Sequence, residues 1–173
     1  LVRSRGLGDV YKRQDFRDRV REFKLNTALM ILYILSKGPA HGYELMRRIR
    51  EEFFLLKSPG VLYPMLRRLI QLGYIEEAGS VSKGRRVAKV YRITEKGSRF
   101  LSDNSDRIDM LKTISRGMKI FDDIGGLELR EAIFNLFTVL PKAGTSELEI
   151  LREAIKSFIS TINQVRERVL RGG

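Results

Sequence analysis

The punctuation of residues 38–97 constrains this chain more than any bulk property. Gly38-Pro39 closes one helical run, Ser58-Pro59-Gly60 opens another and Gly73 closes that one. Proline cannot continue a helix and disfavours helical geometry in the residue before it, whereas glycine supplies a left-handed stop. Gly79–Arg86 (GSVSKGRR) then separates two β-prone runs, Tyr74–Ala78 and Val87–Ile93. The expected order is helix, helix, capped helix, hairpin with a cationic tip.

The first helix is predicted over Phe16–Lys37, with Leu25–Leu35 apolar nearly all round and therefore buried. The second runs from Gly42 to Phe53 or Phe54, with Tyr43, Leu45, Met46, Ile49 and Phe53 on the core side. Arg47, Arg48 and Arg50 face solvent. In the third, Ser58 caps the start, the helix reaches about Leu72, and Leu62, Met65, Leu66, Leu69 and Leu72 share one face. Gly60, Pro64, Arg67 and Gln71 lie opposite, flanked by Tyr63 and Arg68. Pro64 conflicts with an established helix, a conflict that a start near Val61 would relieve.

The rest reads as helical. Thr94-Glu-Lys-Gly97 opens a helix towards Asp103; Asp106–Ile124 is interrupted by Gly117; Leu127–Leu140 is closed by Pro141. Ser146 and Glu149 form a capping box. In the last helix Leu148, Leu151, Ile155, Phe158, Ile162, Val165 and Val169 are spaced alternately by three and four, the a/d seam of a coiled coil. Self-pairing between two subunits is the favoured use of that seam, and packing on the chain's own helices is the alternative. The fold class is mainly α with a small β wing: a winged helix-turn-helix domain at 15–103, then a helical dimerisation region at 104–173.

Leu1–Gln14 shows no helical or strand period, carries Gly6 and Gly8 among cations, and is set aside as a non-native leader. Its alternative is a basic arm that touches DNA.

Composition excludes more than it selects. There is no cysteine, which removes cysteine zinc sites and thiolate nucleophiles, and the single histidine, His41, argues against a histidine metal site or a Ser-His-Asp relay. His41 is read as structural, at the start of a helix. Glu51-Glu52 and Asp122-Asp123 are neighbours that diverge on a helix, so no metal site is expected. No phosphate-binding loop is present; the expectation is a non-enzyme without cofactor, cytoplasmic, with no membrane span. The net charge of +12 points to polyanionic partners, and its placement chooses among them. Residues 57–92 hold eight cations against two acids.

Double-stranded DNA fits that placement. A reading helix needs an apolar face for its domain and a polar face for the major groove, and the third helix has both. Arg67 can grip guanine and Gln71 adenine, while Lys83, Arg85 and Arg86 at the wing reach phosphates or a minor groove. On the second helix the solvated face is the reading for Arg47, and an approach to the DNA backbone is its alternative. Tyr43 and Tyr91 are expected in the core. A competing class is a winged-helix protein–protein interaction module without specific DNA binding.

Several motifs agree with one family. His41-Gly-Tyr-Glu-Leu45, Ser58-Pro-Gly-Val-Leu-Tyr-Pro64, Leu66-Arg-Arg-Leu69, Gly73-Tyr-Ile75 and Tyr91-Arg-Ile-Thr-Glu-Lys-Gly97 resemble the PadR family of transcriptional regulators over about Leu25–Leu101. The resemblance implies a homodimer on an inverted-repeat operator, usually a repressor, with C-terminal helices that dimerise. It carries DNA contacts over to Tyr63, Pro64, Arg67 and the wing cations, and leaves open a small-molecule effector; the start and polar face of the third helix add Ser58, Gly60, Arg68 and Gln71 as candidate DNA contacts.

Overall fold

In the computed structural model, which describes residues 5–54, 58–83 and 86–172, the chain opens with helix α1, Arg5–Ser36. Side chains are described for 17–54, 58–82 and 87–172. Helix α1 thus starts at Arg5, not at Phe16, and overrides the aperiodic reading of the leader. Extending a helix already anchored by a buried segment adds a hydrogen bond for each residue ordered. That gain offsets the ~1 kcal/mol each of Gly6 and Gly8.

A two-residue strand β1, Ala40–His41, follows, then helix α2, Gly42–Phe53, and helix α3, Pro59–Gln71. Strands β2, Ile75–Lys83, and β3, Arg86–Ile93, form the wing; the antiparallel sheet runs β1-β3-β2. Ala40 pairs with Tyr91 and Lys83 with Arg86. The strand is longer than expected because Gly79–Lys83 joins the ladder after a bulge between Glu77 and Gly79. Gly79 takes φ +137°, which a bulged strand accepts only from residues without a Cβ penalty.

The core is built by α1, α2 and α3. Leu29, Met30, Ile31, Leu32, Ile34 and Leu35 of α1 meet Leu45, Ile49 and Phe53 of α2 and Leu62, Leu66 and Leu69 of α3, all at 2% exposure or less. Each such side chain contributes ~1.5–3 kcal/mol by leaving water, so this cluster dominates the stability of the first of two compact units, residues 1–123. Thr27 is buried among them with its hydroxyl donating to the Phe23 carbonyl at 2.8 Å.

Helix α4, Glu95–Ser102, is capped by the Thr94 hydroxyl, which accepts from Gly97 N–H. Helix α5, Ser105–Phe121, falls in the C-terminal region by the sequence boundary at 103, yet it packs in the first unit. Ile108 and Leu111 are buried in the core and the Ser115 hydroxyl donates to the Glu52 carbonyl. Gly117 does not interrupt α5, because nothing crowds it and one glycine costs only ~1 kcal/mol.

A polar clamp reinforces α5. Glu52 accepts from the Tyr33 hydroxyl at 3.1 Å and from Lys37 at 2.9 Å, while Lys37 and Lys112 lie over the Tyr33 ring at 4.5 and 4.3 Å. The hydrogen bond from Lys37 holds the Glu52 carboxyl below its ordinary value of 4.5. A carboxylate lowered on folding stabilises above its unfolded pKa, and that stabilisation is lost as pH falls through the folded value. Glu52→Gln is expected to cost about 1 kcal/mol at neutral pH, since the pair is part-exposed, and progressively less as pH falls below the ordinary carboxylate range. Urea titrations over an acid-to-neutral pH series check this; a deficit that does not change with pH would refute the ionic role.

Residues 124–173 form a second unit. An irregular turn, Asp122–Gly126, with Gly125 at φ +102°, precedes helix α6, Leu127–Val139; a 3₁₀ turn, Leu140–Lys142, leads to helix α7, Thr145–Arg171. The capping box expected from Ser146 and Glu149 is displaced. Gly144 is the cap residue, and the Glu147 carboxylate accepts from its own N–H, the Ser146 hydroxyl and the Gly144 N–H, which lowers its pKa. Glu149 pairs with Arg152 instead. Neither α6 nor α7 contains a buried residue.

Candidate nucleic-acid interface

Helix α3 separates its two faces as the spacing requires. Leu62, Leu66 and Leu69 are fully buried; Gly60, Tyr63, Pro64, Arg67, Arg68 and Gln71 are exposed. The core therefore holds one side of α3 and leaves a stripe of Arg67 and Gln71, flanked by Tyr63 and Arg68, at the surface. Ser58 is the residue before the helix, but its hydroxyl makes no capping bond; its carbonyl accepts from Val61 and Leu62 N–H. The helix starts at Pro59, not near Val61, so Pro64 lies inside it. Gly60, whose carbonyl Pro64 cannot serve, is exposed, so that carbonyl is not sealed in the core. Gly73, at φ +72°, ends the helix through its N–H to the Ile70 carbonyl.

Tyr63 is positioned by Gly42. A Cβ at residue 42 would stand 2.7 Å from the Tyr63 hydroxyl oxygen and 2.9 Å from its ring, so the aromatic ring lies directly on the first residue of α2. His41 caps that helix, its Nδ1 accepting from Glu44 N–H at 3.2 Å, in agreement with its structural reading. The neighbouring Tyr91 is buried, as expected; burial, then the Glu77 carboxylate, raises its pKa and keeps it a protonated hydroxyl.

Tyr43 departs from expectation. It is 70% exposed, because the buried stripe of α2 is Gly42, Leu45, Ile49 and Phe53, and Tyr43 is turned one residue away from it. The arginines of α2 are surface residues, Arg47 paired with Glu51 and Arg48 with Glu44. On the wing, Lys89 pairs with Glu77 and Arg92 with Glu76. Arg85 and the side chains of Lys83 and Arg86 lie outside the described residues.

Comparison with known proteins decides the lineage. The model of the transcriptional regulator PadR-like family matches residues 31–103, which span the core of α1 through α4. A PadR-like transcriptional regulator of Bacillus cereus is 31% identical, over 53% of this chain and 88% of that one, with a TM-score of 0.43. The chain belongs to the PadR-like family. A putative transcriptional regulator of Thermoplasma acidophilum is 30% identical to this PadR-like chain, over 60% of it and 94% of the other, with a TM-score of 0.46. The transcriptional regulator YqjI of Escherichia coli is 34% identical over 90 residues, 49% of this chain and 40% of that protein. The PadR-like chain thus spans less than half the length of that relative. Among its described residues no helix is long and apolar enough to cross a membrane.

The fold class expected from the sequence matches the structure: a small three-stranded antiparallel sheet set among helices. The seam residues of this PadR-like chain sit on α7 as predicted. Leu151 is half-buried, and Leu148, Ile155, Phe158, Ile162, Val165 and Val169 are exposed.

Proposed function

We propose that this PadR-like chain is a sequence-specific DNA-binding regulator that acts as a homodimer on an inverted-repeat operator and represses transcription there. The observation that carries the reading is the exposed polar stripe of α3, Arg67 and Gln71 between Tyr63 and Arg68, set on a helix whose opposite face is fully buried. Such a helix is rigidly mounted and free to enter a major groove, where Arg and Gln make bidentate contacts to guanine and adenine. Lys83, Arg85 and Arg86 stand in the sequence where β2 gives way to β3, and we assign them to phosphates or a flanking minor groove.

Two reading helices need a subunit pairing that sets them roughly 34–36 Å apart, one turn of B-DNA. The α7 seam supplies a surface for it. Apolar side chains spaced three and four apart, with no buried residue on the helix, fit pairing with a second copy.

Selection of bound duplexes from a random pool, at two salt concentrations, tests the whole reading. The expected result is an enriched palindrome whose affinity falls steeply with salt, with a log–log slope of about −0.9 for each phosphate neutralised. Arg67→Ala is expected to cost about 1–3 kcal/mol of discrimination at one base pair of each half-site. The double variant Arg85→Ala, Arg86→Ala should weaken binding to operator and unrelated DNA alike. Unenriched pools with binding indifferent to salt would sink the DNA reading and favour a protein-interaction module.

A further inference from the structure

We infer that the groove between the first turn of α2 and the wing seats one sugar–phosphate strand of the bound duplex, with Tyr43 packed on deoxyribose and Arg47 and Lys89 holding phosphates. The inference rests on the DNA reading above and extends it to residues that neither the helix stripe nor the wing tip includes. The groove has a volume of about 1060 Å³ and is bounded by Tyr43 and Arg47 of α2, Tyr63 of α3, and Val87 and Lys89 of β3.

Three observations choose this occupant. First, the groove is continuous with the reading face, because Tyr63 both flanks the α3 stripe and lines the groove. A strand leaving the major groove read by α3 towards a minor groove at the wing tip has to cross the space between them. Second, the walls alternate in the way the strand does. Tyr43 and Val87 are 70% and 69% exposed, apolar surface left open to solvent, and they sit beside Arg47 and Lys89. Deoxyribose rings and phosphates present the same alternation.

Third, the polar groups are ready to be used. Arg47 and Lys89 are paired with exposed Glu51 and Glu77, in ion pairs worth about 0–1 kcal/mol that a phosphate can replace. Glu44, the acid in the groove, is neutralised by Arg48.

The test separates apolar from ionic contacts. Affinities of the full chain are measured by fluorescence anisotropy on the selected operator and on an unrelated duplex, over a salt series. Arg47→Ala is expected to weaken both by about 5- to 30-fold and to flatten the salt slope by about 0.9, one phosphate's worth. Arg47→Lys should restore the slope. Tyr43→Ala is expected to weaken both duplexes by a similar factor with the slope unchanged. Arg99→Ala, an exposed cation of α4 outside the groove, sets the effect of losing charge alone. If Tyr43→Ala and Arg47→Ala keep parental affinity while Arg67→Ala loses sequence preference, the groove assignment is overturned and the DNA reading survives. If Arg47→Ala instead changes which bases are preferred, the groove reads bases and the backbone assignment is wrong. If the parent binds no duplex in a salt-sensitive way, both readings fall together.

Discussion

Val165→Asp is expected to turn the homodimer proposed above into monomers and to abolish high-affinity binding to the proposed operator. In a two-fold symmetric pair each substitution occurs twice at one interface. Each removes the burial of a valine, worth ~1.5–3 kcal/mol, and inserts a carboxylate with no partner in the seam sequence Leu148, Leu151, Ile155, Phe158, Ile162, Val165, Val169. The combined loss of about 3–6 kcal/mol corresponds to about 10²- to 10⁴-fold weaker association, since ~1.4 kcal/mol is tenfold. Operator affinity follows, because two linked half-site contacts gain about 10²- to 10⁴-fold over one. Light scattering over a concentration series, paired with operator titration, measures both. Ile150→Asp is the control: Ile150 is 72% exposed and off the seam, so its variant should remain dimeric. A Val165→Asp protein that scatters as a dimer at low micromolar concentration removes the seam from the interface.

The sequence is legible where a periodic signal coincides with a buried stripe. In α3, Leu62, Leu66 and Leu69 recur at helical spacing and all three are buried, so the spacing alone locates the opposite stripe of Arg67 and Gln71. Tyr43 misleads for a related reason. One residue after Gly42 and two before Leu45, it belongs to an apolar cluster in sequence, but a helix advances about 100° per residue and carries it off the stripe. Strand β1 is two residues long and leaves no period to detect. The distal half of β2 is exposed from Gly79 to Ser82, so it needs no apolar alternation and reads as a loop. Its ladder with β3 comes from backbone pairing, which composition does not encode. Helix α5 carries no family motif, and its place beside α1 and α2 rests on Ile108, Leu111 and long-range polar contacts such as Arg107 to Asn26 at 2.7 Å.

The motif glycine Gly97 is where sequence resemblance acquires a physical cause, and Gly97→Ala is expected to be among the most destabilising single changes in the winged domain. Its position on α4 is fixed from several sides. The Thr94 hydroxyl donates to the Gly73 carbonyl, Lys96 donates to the Leu72 carbonyl, and Tyr74 stacks on Phe100 with ring centroids 4.7 Å apart. These contacts press the first turn of α4 onto the α3–β2 turn. A Cβ at residue 97 would collide with the Tyr74 carbonyl oxygen and stand 2.9 Å from Ile93 Cγ1. The first obstacle is backbone, and that carbonyl already accepts from Thr94 N–H at 3.0 Å, so a change of rotamer gives no relief. Either α4 lifts away, loosening the cap and the stack together, or the start of β2 moves and tilts the wing. Overpacking of this kind costs ~1–3 kcal/mol and more where backbone must shift; about 3 kcal/mol is expected. Thermal melts should show a drop of about 10 °C, given about 2–4 °C per kcal/mol for a chain of this size. Gly117→Ala, in open space on α5, should instead be neutral or slightly stabilising. If Gly97→Ala melts within about 2 °C of the parent, the close approach of α4 to the α3–β2 turn is not what holds the wing in place.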